Sequence, residues 1–428
     1  MKKRILLPVF AVLAFASNAQ FLDSEPVVKV ENKEKNVKFT VGARFLADVA
    51  VFDSDSISLQ NGATISDARI RTSMTHKNWY FYADFGFGNG KFSQKYIYLQ
   101  YSQKNNVGGT HYIKAGYYND PAGSMSRNTP LGNLHFFNFP GSASALGQGR
   151  ALGVSYRYNT KHFFAQQGVF SETPYNNKIE AGNNGITLSG RYVCRPIAEQ
   201  YQLLHLGING RFAHVASGVI ENNVLKKKLH LGQPLETFVD EDERFVSCNI
   251  PWVNNVIDLG VEALYLNRKM FVRGEYIYKH VTKKRDSQAL WQASVAQGNV
   301  GSFDQWLEMN PLRNNNFDGG YVEAGYSIFG NPYKYNSAES LMGGINSKSL
   351  EVVARYNHTN LNDKSNDAKL QATNVNGGSI DSYTIGLNYG FNKYALVMLG
   401  YTYHHIEKDA LPHDKDVHMA QARLQFTF

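Results

Sequence analysis

Apolar and polar residues alternate one by one through most of the chain, as expected for β-strands whose two faces meet different surroundings. Every second residue from Val37 to Val51 is apolar, whereas the positions between them include Lys38, Arg44 and Asp48. A helical period would not sort the residues in this way. Lipid on one side of the sheet and water on the other would account for the alternation.

The same alternation marks sixteen segments of the chain. They lie at residues 37–52, 65–75, 79–87, 93–102, 110–119, 150–158, 162–171, 185–195, 202–214, 256–266, 269–279, 318–329, 348–358, 380–391, 394–405 and 416–428. If the first strand runs outward, long outer loops should alternate with short inner turns. Most connections follow this rule, but the outer connection 88–92 is short and the inner connection 330–347 is long.

We therefore predict an all-β fold, a closed antiparallel transmembrane β-barrel of sixteen strands that occupies residues 37–428. Eighteen strands remain an alternative, because the connections 215–255 and 280–317 are each long enough to contain a further hairpin. An even number of strands places both ends of the barrel domain on the same side of the membrane.

The first residues have the pattern of an export signal. Residues 2–4 are basic, residues 5–16 form an apolar stretch, and residues 17–19 are small. An uncleaved anchor is the alternative, but a spanning helix needs roughly 20 apolar residues, more than this stretch provides. We expect residues 1–19 to be a signal peptide and residues 20–36 to form a short periplasmic segment before the barrel.

The formal net charge is mildly positive, +8 for the whole chain and +5 once Lys2, Lys3 and Arg4 leave with the signal. This balance suits anionic solutes or lipid headgroups, and it does not require nucleic acid, which we exclude for an exported protein. Cys194 and Cys248 are the only cysteines, and export would allow a disulfide between them.

The last predicted strand ends in an aromatic residue. Its lipid-facing positions are Ala420, Ala422, Leu424, Phe426 and Phe428. A terminal aromatic residue on an alternating strand is the sequence that the barrel-insertion machinery of the Gram-negative outer membrane recognises. We therefore predict this location and this partner. A soluble β-sandwich that ends in Phe by chance would not explain sixteen alternating segments.

Eight short motifs occur in order along the predicted strands. They are Gly42-Ala43-Arg44, Asp67–Arg71, Gly116–Pro121, Gly149–Val154, Phe317–Tyr326, Leu350–Tyr356, Ile385–Tyr389 and Arg423–Phe428. Together they resemble the phosphate-selective porins O and P. The resemblance implies a sixteen-stranded barrel, a homotrimer and loops that fold inward to narrow the pore. In the phosphate-specific members an arginine ladder leads to a lysine-containing constriction.

Strand parity places many charged side chains on the inner face of the barrel. The inward cations are Arg44, Arg69, Arg71, Lys114, Arg157, Arg191, Arg211, Arg273, Arg355 and Arg423. The inward acids are Asp48, Asp67, Asp84, Asp258, Glu262, Glu275, Glu323 and Glu351. The planar fork of arginine suits phosphate and carboxylate oxygens. Because the two signs nearly balance, we expect many of these residues to form cross-strand ion pairs that stiffen the wall.

Two loops carry further candidate cations for a solute pathway. Loop 120–149, which we expect to fold inward, contains Arg127 and has Arg150 at its return. Loop 215–255 carries Lys226, Lys227 and Lys228. Those lysines are candidates for the pathway, but a solvated outer face or a site for anionic lipopolysaccharide would explain them as well. The run Asp240-Glu241-Asp242-Glu243 in the same loop would offset their charge.

The sequence offers no arrangement typical of an enzyme. Thirteen histidines are scattered along the chain, and the adjacent His404 and His405 would point to opposite faces of a strand. Two separate cysteines do not make a zinc site. The glycines at 86, 88 and 90 lie at a turn between strands and not before a helix, so they do not form a phosphate loop. We predict no catalysis, no metal and no cofactor.

The function that these patterns favour is a porin for passive diffusion of small hydrophilic solutes, with a weak preference for anions and phosphate as one candidate. The expected partners are outer-membrane lipid, lipopolysaccharide, small anionic solutes and two further copies of the chain. The alternative is a surface adhesin or scaffold whose loops plug the pore. This alternative is supported by the length of the outer loops, which exceeds what shaping a pore requires.

Overall fold

The computed structural model describes residues 28–54, 59–88, 92–106, 108–171, 185–215, 220–221, 224–225, 229–241, 245–284, 287–296, 298, 301–309, 312–408 and 415–428. The first strands are β1 Val28–Asn32, β2 Val37–Ser54, β3 Gly62–His76, β4 Trp79–Gly86, β5 Ser93–Lys104, β6 Thr110–Asn119, β7 Arg150–Asn159, β8 Phe163–Ser171, β9 Ile186–Ala198 and β10 Gln202–His214. The next are β11 Ile220–Glu221, β12 Val224–Leu225, β13 Leu229–Gln233, β14 Val246–Ile250, β15 Val253–Asn267, β16 Met270–Lys283 and β17 Asn315–Phe329. The last are β18 Tyr335–Asn336, β19 Leu341–Met342, β20 Ser349–Asp363, β21 Val375–Gly390, β22 Ala395–Glu407 and β23 Lys415–Thr427.

Helices occur only in the connections of the described chain. They are α1 Ser124–Asn128, α2 Gly141–Leu146, α3 Ser287–Ala296 and α4 Phe303–Met309, with 3-10 segments at Pro121–Gly123, Leu131–Asn133 and Ala368–Thr373. None of the helices among these residues is long and apolar enough to cross a membrane.

Sixteen strands form the barrel wall, and each is antiparallel to its neighbours: β2 to β10, β15 to β17, and β20 to β23. The barrel closes because β23 pairs with β2, with Arg423 opposite Asp48. The predicted sixteen-stranded barrel is confirmed, and each predicted segment corresponds to one wall strand. Eighteen strands is wrong for the described chain, because β11 to β14 form separate two-stranded sheets and α3 and α4 lie in the connection between β16 and β17.

The two faces of the wall differ as the alternation predicted. Large apolar side chains such as Ile113, Val154 and Ile208 point outward and are more than half exposed. Inward charged side chains such as Asp48 and Arg273 are buried. Each strand therefore presents apolar groups to lipid and keeps its polar groups in the lumen.

The barrel seam is extended by the short strand β1. The backbone of Phe428 exchanges hydrogen bonds of 2.7 and 3.1 Å with Ala43, where β23 ends. Beyond that point β2 has a free edge, and β1 occupies it with Val28 opposite Val41. Part of the segment 20–36 thus forms a hairpin with β2. The expected signal peptide, residues 1–19, lies outside the described residues.

Within the described part of the chain, three connections enter the lumen. Loop 120–149 and residues 229–241 come from one end of the barrel, and the connection 330–347 comes from the end that holds Phe428. Helix α2 packs against β13, β16, β17 and β20 in an apolar cluster that includes Leu146, Leu235 and Val281. These connections fill the lumen mainly beside strands β9 to β23.

The two cysteines are not bridged. Cys194 is exposed on the outer face of β9, and Cys248 lies in β14 within a loop; both are free thiols. The disulfide that export would have allowed is therefore absent from this structure.

Candidate substrate pathway

A cavity of about 640 Å³ remains open between strands β2 to β8 and the inserted loops. The described residues that line it include seven cations and four acids. The cations are Arg44, Arg69, Arg71, Lys95, Lys114, Arg127 and Arg150; the acids are Asp67, Asp84, Glu241 and Glu339. Six of these seven cations belong to the set predicted from the sequence, so the fold brings part of that set into one space.

Loop 120–149 leaves this space open because it is fastened to the opposite side of the barrel. The Ser124 and Ser126 hydroxyls donate to a Glu275 carboxylate oxygen at 2.5 and 2.8 Å. His135 lies 2.8 Å from Glu351, another inward carboxylate. Wall carboxylates on β16 and β20 therefore serve as anchors for the loop and do not face the cavity.

Three cavity cations are held by aromatic rings. The ammonium of Lys114 lies 4.6 Å from the ring centre of Tyr98, and the guanidinium of Arg150 lies 5.1 Å from that of Tyr96. Arg127 sits 4.6 Å above a phenylalanine ring within its own loop. None of the ion pairs among the described residues involves these three cations. A ring face orients a cation without neutralising it, so their charge is available to a solute.

Arg127 is charged at neutral pH even though it is half-buried. Burial lowers the pKa of Arg127 to about 10, and the nearby charge of Arg150 acts in the same direction. Both guanidinium Nε atoms are buried without a hydrogen-bond partner. Arg127 and Arg150 therefore present positive charge and unused hydrogen-bond donors at the inner surface of loop 120–149.

Two of the remaining cavity arginines, Arg44 and Arg69, are partly neutralised by carboxylates of the wall. Arg44 lies 2.5 Å from Asp67, and Arg69 lies 2.6 Å from the same carboxylate and 3.0 Å from Asp84. Arg71 instead donates to the main-chain oxygen of Phe428 at 3.1 Å. These pairs give the cross-strand bracing that the balanced wall predicted.

Lys95 lines the cavity although strand alternation alone would not have indicated it. The pairing of β4 with β5 shifts register here: Asp84 lies opposite Tyr96, and Phe85 lies opposite Gln94. Lys95 is the extra residue of a β-bulge, which allows it to face the same space as Tyr96. A bulge leaves no period-two signal in the sequence, so this cation was missed.

The connection 330–347 brings an acid into contact with the cations of the wall. Glu339 lies 2.5 Å from Arg157, whose guanidinium also stacks 4.0 Å from the ring centre of Tyr112. Burial alone would raise the pKa of Glu339, but the charges of Arg157 and Lys114 outweigh it and lower the pKa to about 2. The unusual length of this inner connection is therefore explained by its entry into the lumen.

Besides Arg157, five predicted cations among the described residues lie outside the cavity lining, and each is bound by a buried carboxylate. The pairs are Arg191 with Glu262, Arg211 with Asp120 and Asp258, Arg273 with Glu323, Arg355 with Glu323 and Glu236, and Arg423 with Asp48. Parity correctly gave the side of the wall. It could not show which inward cations have a carboxylate directly opposite.

The lysine run of loop 215–255 was also predicted to contribute to the solute pathway. Lys226, Lys227 and Lys228 lie outside the described residues, as do Asp242 and Glu243. Among the residues that are described, no group of three or more His, Cys, Asp or Glu side chains is positioned to hold a metal ion.

Comparison with known proteins agrees with the barrel and identifies a family. The model of the family described as phosphate-selective porin O and P matches residues 39–428. No curated protein sequence matches the chain significantly.

Several solved structures resemble the fold. OmpT of Vibrio cholerae, an outer-membrane protein, aligns with a TM-score of 0.53 at 11% identity and covers 94% of this chain and 100% of its own. The trimer form of the same protein gives 0.54 at 10%, covering 92% and 99%. OprB of Pseudomonas putida gives 0.52 at 10%, covering 92% and 95%. At such identities the likeness shows the fold alone.

The family match spans nearly the whole barrel, and the motifs that suggested it lie on the wall strands. The chain therefore belongs to the phosphate-selective porin O and P family and is an outer-membrane β-barrel of a Gram-negative bacterium, in a family of channel proteins and not of enzymes.

Proposed function

We propose that the protein is a channel through which small hydrophilic solutes diffuse passively, with a preference for anions. The observation that carries the proposal is the group of three ring-held cations, Lys114, Arg127 and Arg150, beside an open cavity. Fixed charge in a narrow lumen acts more strongly on an ion than the same charge in bulk water. Cations outnumber acids on the cavity lining, so the field there favours anions.

The proposed pathway continues toward the end of the barrel that holds Phe428. A second cavity of about 800 Å³ opens there, lined by inner turns and by residues such as Lys161, Arg195 and Lys334. The connection 330–347 contributes residues to both cavities and is their common wall. A solute that crosses the barrel would pass this connection between the two spaces.

Within the predicted set, the pathway residues we favour are Arg44, Arg69, Arg71, Lys114, Arg127 and Arg150, with Lys95 added. Arg157 contributes through its pair with Glu339. Phosphate is one candidate solute, because two guanidinium groups with free donors can bind several of its oxygens. Lys226, Lys227 and Lys228 are also proposed members of the pathway, and their replacement by Gln tests them.

We further propose that the protein assembles as a homotrimer in contact with outer-membrane lipid and lipopolysaccharide. The trimer form among the similar structures supports this assembly. The outward apolar belt of the wall suits lipid and neighbouring copies alike. Chemical crosslinking of the protein in outer-membrane vesicles should give a species of three chains, and a single-chain band alone would contradict the assembly.

Channel activity can be tested in planar lipid bilayers with the purified, refolded protein. We expect stepwise increases of conductance and, across a KCl gradient, a reversal potential that shows chloride more permeant than potassium. Phosphate added to one side should reduce the chloride current if it binds at Arg127 and Arg150. Insertion without conductance would contradict the channel, and equal permeability of both ions would contradict the anion preference.

A role as adhesin or scaffold is favoured by one specific observation. The outer connection between β16 and β17 carries helices α3 and α4, and on them Val295, Leu307 and Met309 are exposed apolar side chains. Removing residues 287–309 would then abolish attachment to a surface partner while conductance is unchanged. Unchanged attachment after the deletion would contradict this second function.

A further inference from the structure

We propose that Glu339 is a specificity-determining residue of the channel: its carboxylate limits the anion preference that the cavity cations would otherwise produce. The inference rests on the proposed channel function. It concerns a negative charge that reaches the lumen from a connection and not from the wall, so neither strand parity nor the resemblance pointed to it.

The carboxylate is presented at the tip of a small hairpin. Strands β18 and β19 pair within the connection, with Tyr335 opposite Met342, and residues 337–340 form the turn between them. Ser340 has a positive φ of 51°, which closes this turn tightly. The hairpin therefore projects Glu339 away from the end of the barrel and toward the cations of strands β6 and β7.

Buried arginines hold the hairpin tip in place. Arg191 donates to the main-chain oxygens of Glu339 and Ser340 at 3.1 and 2.8 Å, and Arg195 donates to that of Ser337 at 2.8 Å. Charge-assisted hydrogen bonds of this kind are stronger than bonds between neutral groups. The position of Glu339 is thus fixed by the fold, and its side chain does not depend on Arg157 alone for its location.

The side chain is accessible from the cavity. It keeps 38% of its surface exposed although its partner Arg157 is almost fully buried. Glu339 and Asn336 line the cationic cavity of about 640 Å³, whereas Tyr335 and Ser337 line the second cavity. An ion that moves from one space to the other must therefore pass this carboxylate at close range.

Glu339 offsets positive charge at a position where the cations would otherwise act unopposed. Its charge acts on both Arg157 and Lys114. Lys114 has ring contacts with Tyr98 and Tyr118, and none of the described ion pairs includes it. Without the carboxylate, this section of the pathway would carry two cations and would attract anions more strongly while repelling potassium.

The test is the reversal potential of Glu339→Gln in planar bilayers across a KCl gradient. The amide keeps the size of the side chain and removes its charge, so we expect the chloride-to-potassium permeability ratio to rise by about two- to fivefold. Glu339→Asp, which restores the charge, should return the ratio toward that of the unmodified protein. A structural role alone would not produce this recovery together with an unchanged single-channel conductance at high salt.

Glu407→Gln is the matched control, because Glu407 is an exposed acid on β22 outside the cavity lining. We expect no change of the ratio in this variant. An unchanged or lower ratio in Glu339→Gln would overturn the inference while the channel itself stands. Absence of conductance in the unmodified protein would instead overturn the proposed function, so the two failures are distinguishable.

Discussion

The two sides of the barrel lumen use the same residue type for different purposes. Beside strands β9 to β23, inward arginines such as Arg273 and Arg355 share a buried carboxylate and lie beneath packed loops. Beside strands β2 to β8, Arg150 and Lys114 rest on tyrosine rings and face an open cavity. The first side is a packed core in which charged side chains form ion pairs, and the second is a charged surface that lines an open cavity.

The difference teaches that an inward position is not enough to make a cation part of a pathway. A carboxylate in the neighbouring register removes the net charge and draws the side chain into the wall. An aromatic neighbour orients the cation and leaves its charge in place.

Removing Glu323 should strongly destabilise the braced side. Glu323 is fully buried and accepts from Arg273 and Arg355, its direct partners on the two adjacent strands. Glu323→Gln would leave buried guanidinium charge without compensation, and breaking such a pair reduces stability by about 3 to 5 kcal/mol. Urea unfolding in detergent micelles, followed by tryptophan fluorescence, should show the loss.

The exposed acid Glu407 is the control for this measurement, and Glu407→Gln should unfold like the unmodified protein. Permeability provides the second readout. If Glu323→Gln kept its stability but changed the chloride-to-potassium ratio, the filled side would be part of the pathway and the contrast between the two sides would be lost.

Neutralising the ring-held arginines of the cavity should change selectivity and leave stability nearly unaffected. In Arg127→Gln/Arg150→Gln, two charges without carboxylate partners disappear. We expect the chloride-to-potassium ratio to fall by about threefold or more, because each charge acts in a confined lumen of low effective dielectric constant. Reversal potentials in bilayers measure this ratio directly.

A matched control is Arg268→Gln. Arg268 also lies over a tyrosine ring, 5.4 Å from the centre of Tyr201, but it is exposed at an inner turn outside the cavity lining. Its loss should leave the ratio unchanged. Equal effects of the two changes would mean that net charge anywhere on the protein governs selectivity, and the cavity would have no special role.

Sequence alternation predicted every wall strand because lipid enforces parity along its full depth. The ends were less accurate: β20 runs to Asp363 and β21 begins at Val375, beyond the segments 348–358 and 380–391. At that end of the barrel the strands include residues that the sequence pattern had predicted to be loop. Beyond the membrane, water lies on both faces of a strand. The outward positions there no longer need to be apolar, so the alternation is lost.

The candidate site could be predicted only in part, for a different reason. Parity identified Arg69, Arg71 and Lys114 as inward, since this depends on local pattern alone. Which cations keep their charge depends on strand register, on the bulge at Lys95 and on the approach of Glu339 from a distant connection. These are tertiary contacts, and the sequence pattern of one strand carries no record of them.

The hydroxyls that anchor loop 120–149 should have a moderate effect on both sides of the lumen. Ser124→Ala/Ser126→Ala removes two hydrogen bonds to Glu275 and leaves a buried carboxylate less satisfied. We expect a loss of about 1 to 3 kcal/mol and noisier single-channel currents, since the loop would move into the cavity more often. Ser144→Ala, on the same loop, should be silent in both measurements. If the current noise of the double variant equalled that of the unmodified protein, the apolar packing of α2 would be sufficient to hold the loop.

The smallest expected effect is the response of the Arg157–Glu339 pair to acid. Burial alone would raise the pKa of Glu339, but Arg157 and Lys114 outweigh it and hold the pKa at about 2, below the ordinary value of 4.5. A lowered pKa means that the pair stabilises the fold above pH 4.5 and loses this contribution as the pH falls through about 2. The carboxylate should therefore remain charged at pH 4.

The consequence can be measured as a difference between two proteins at two pH values. The gap in chloride-to-potassium ratio between Glu339→Gln and the unmodified channel should be the same at pH 7 and at pH 4, because the charge removed by the mutation is present at both. A carboxyl with the ordinary pKa of 4.5 would be largely protonated at pH 4, and the gap would close. A closing gap would show that Arg157 and Lys114 do not hold this carboxylate in its charged form, and the open side would then have a selectivity that varies with mild acid.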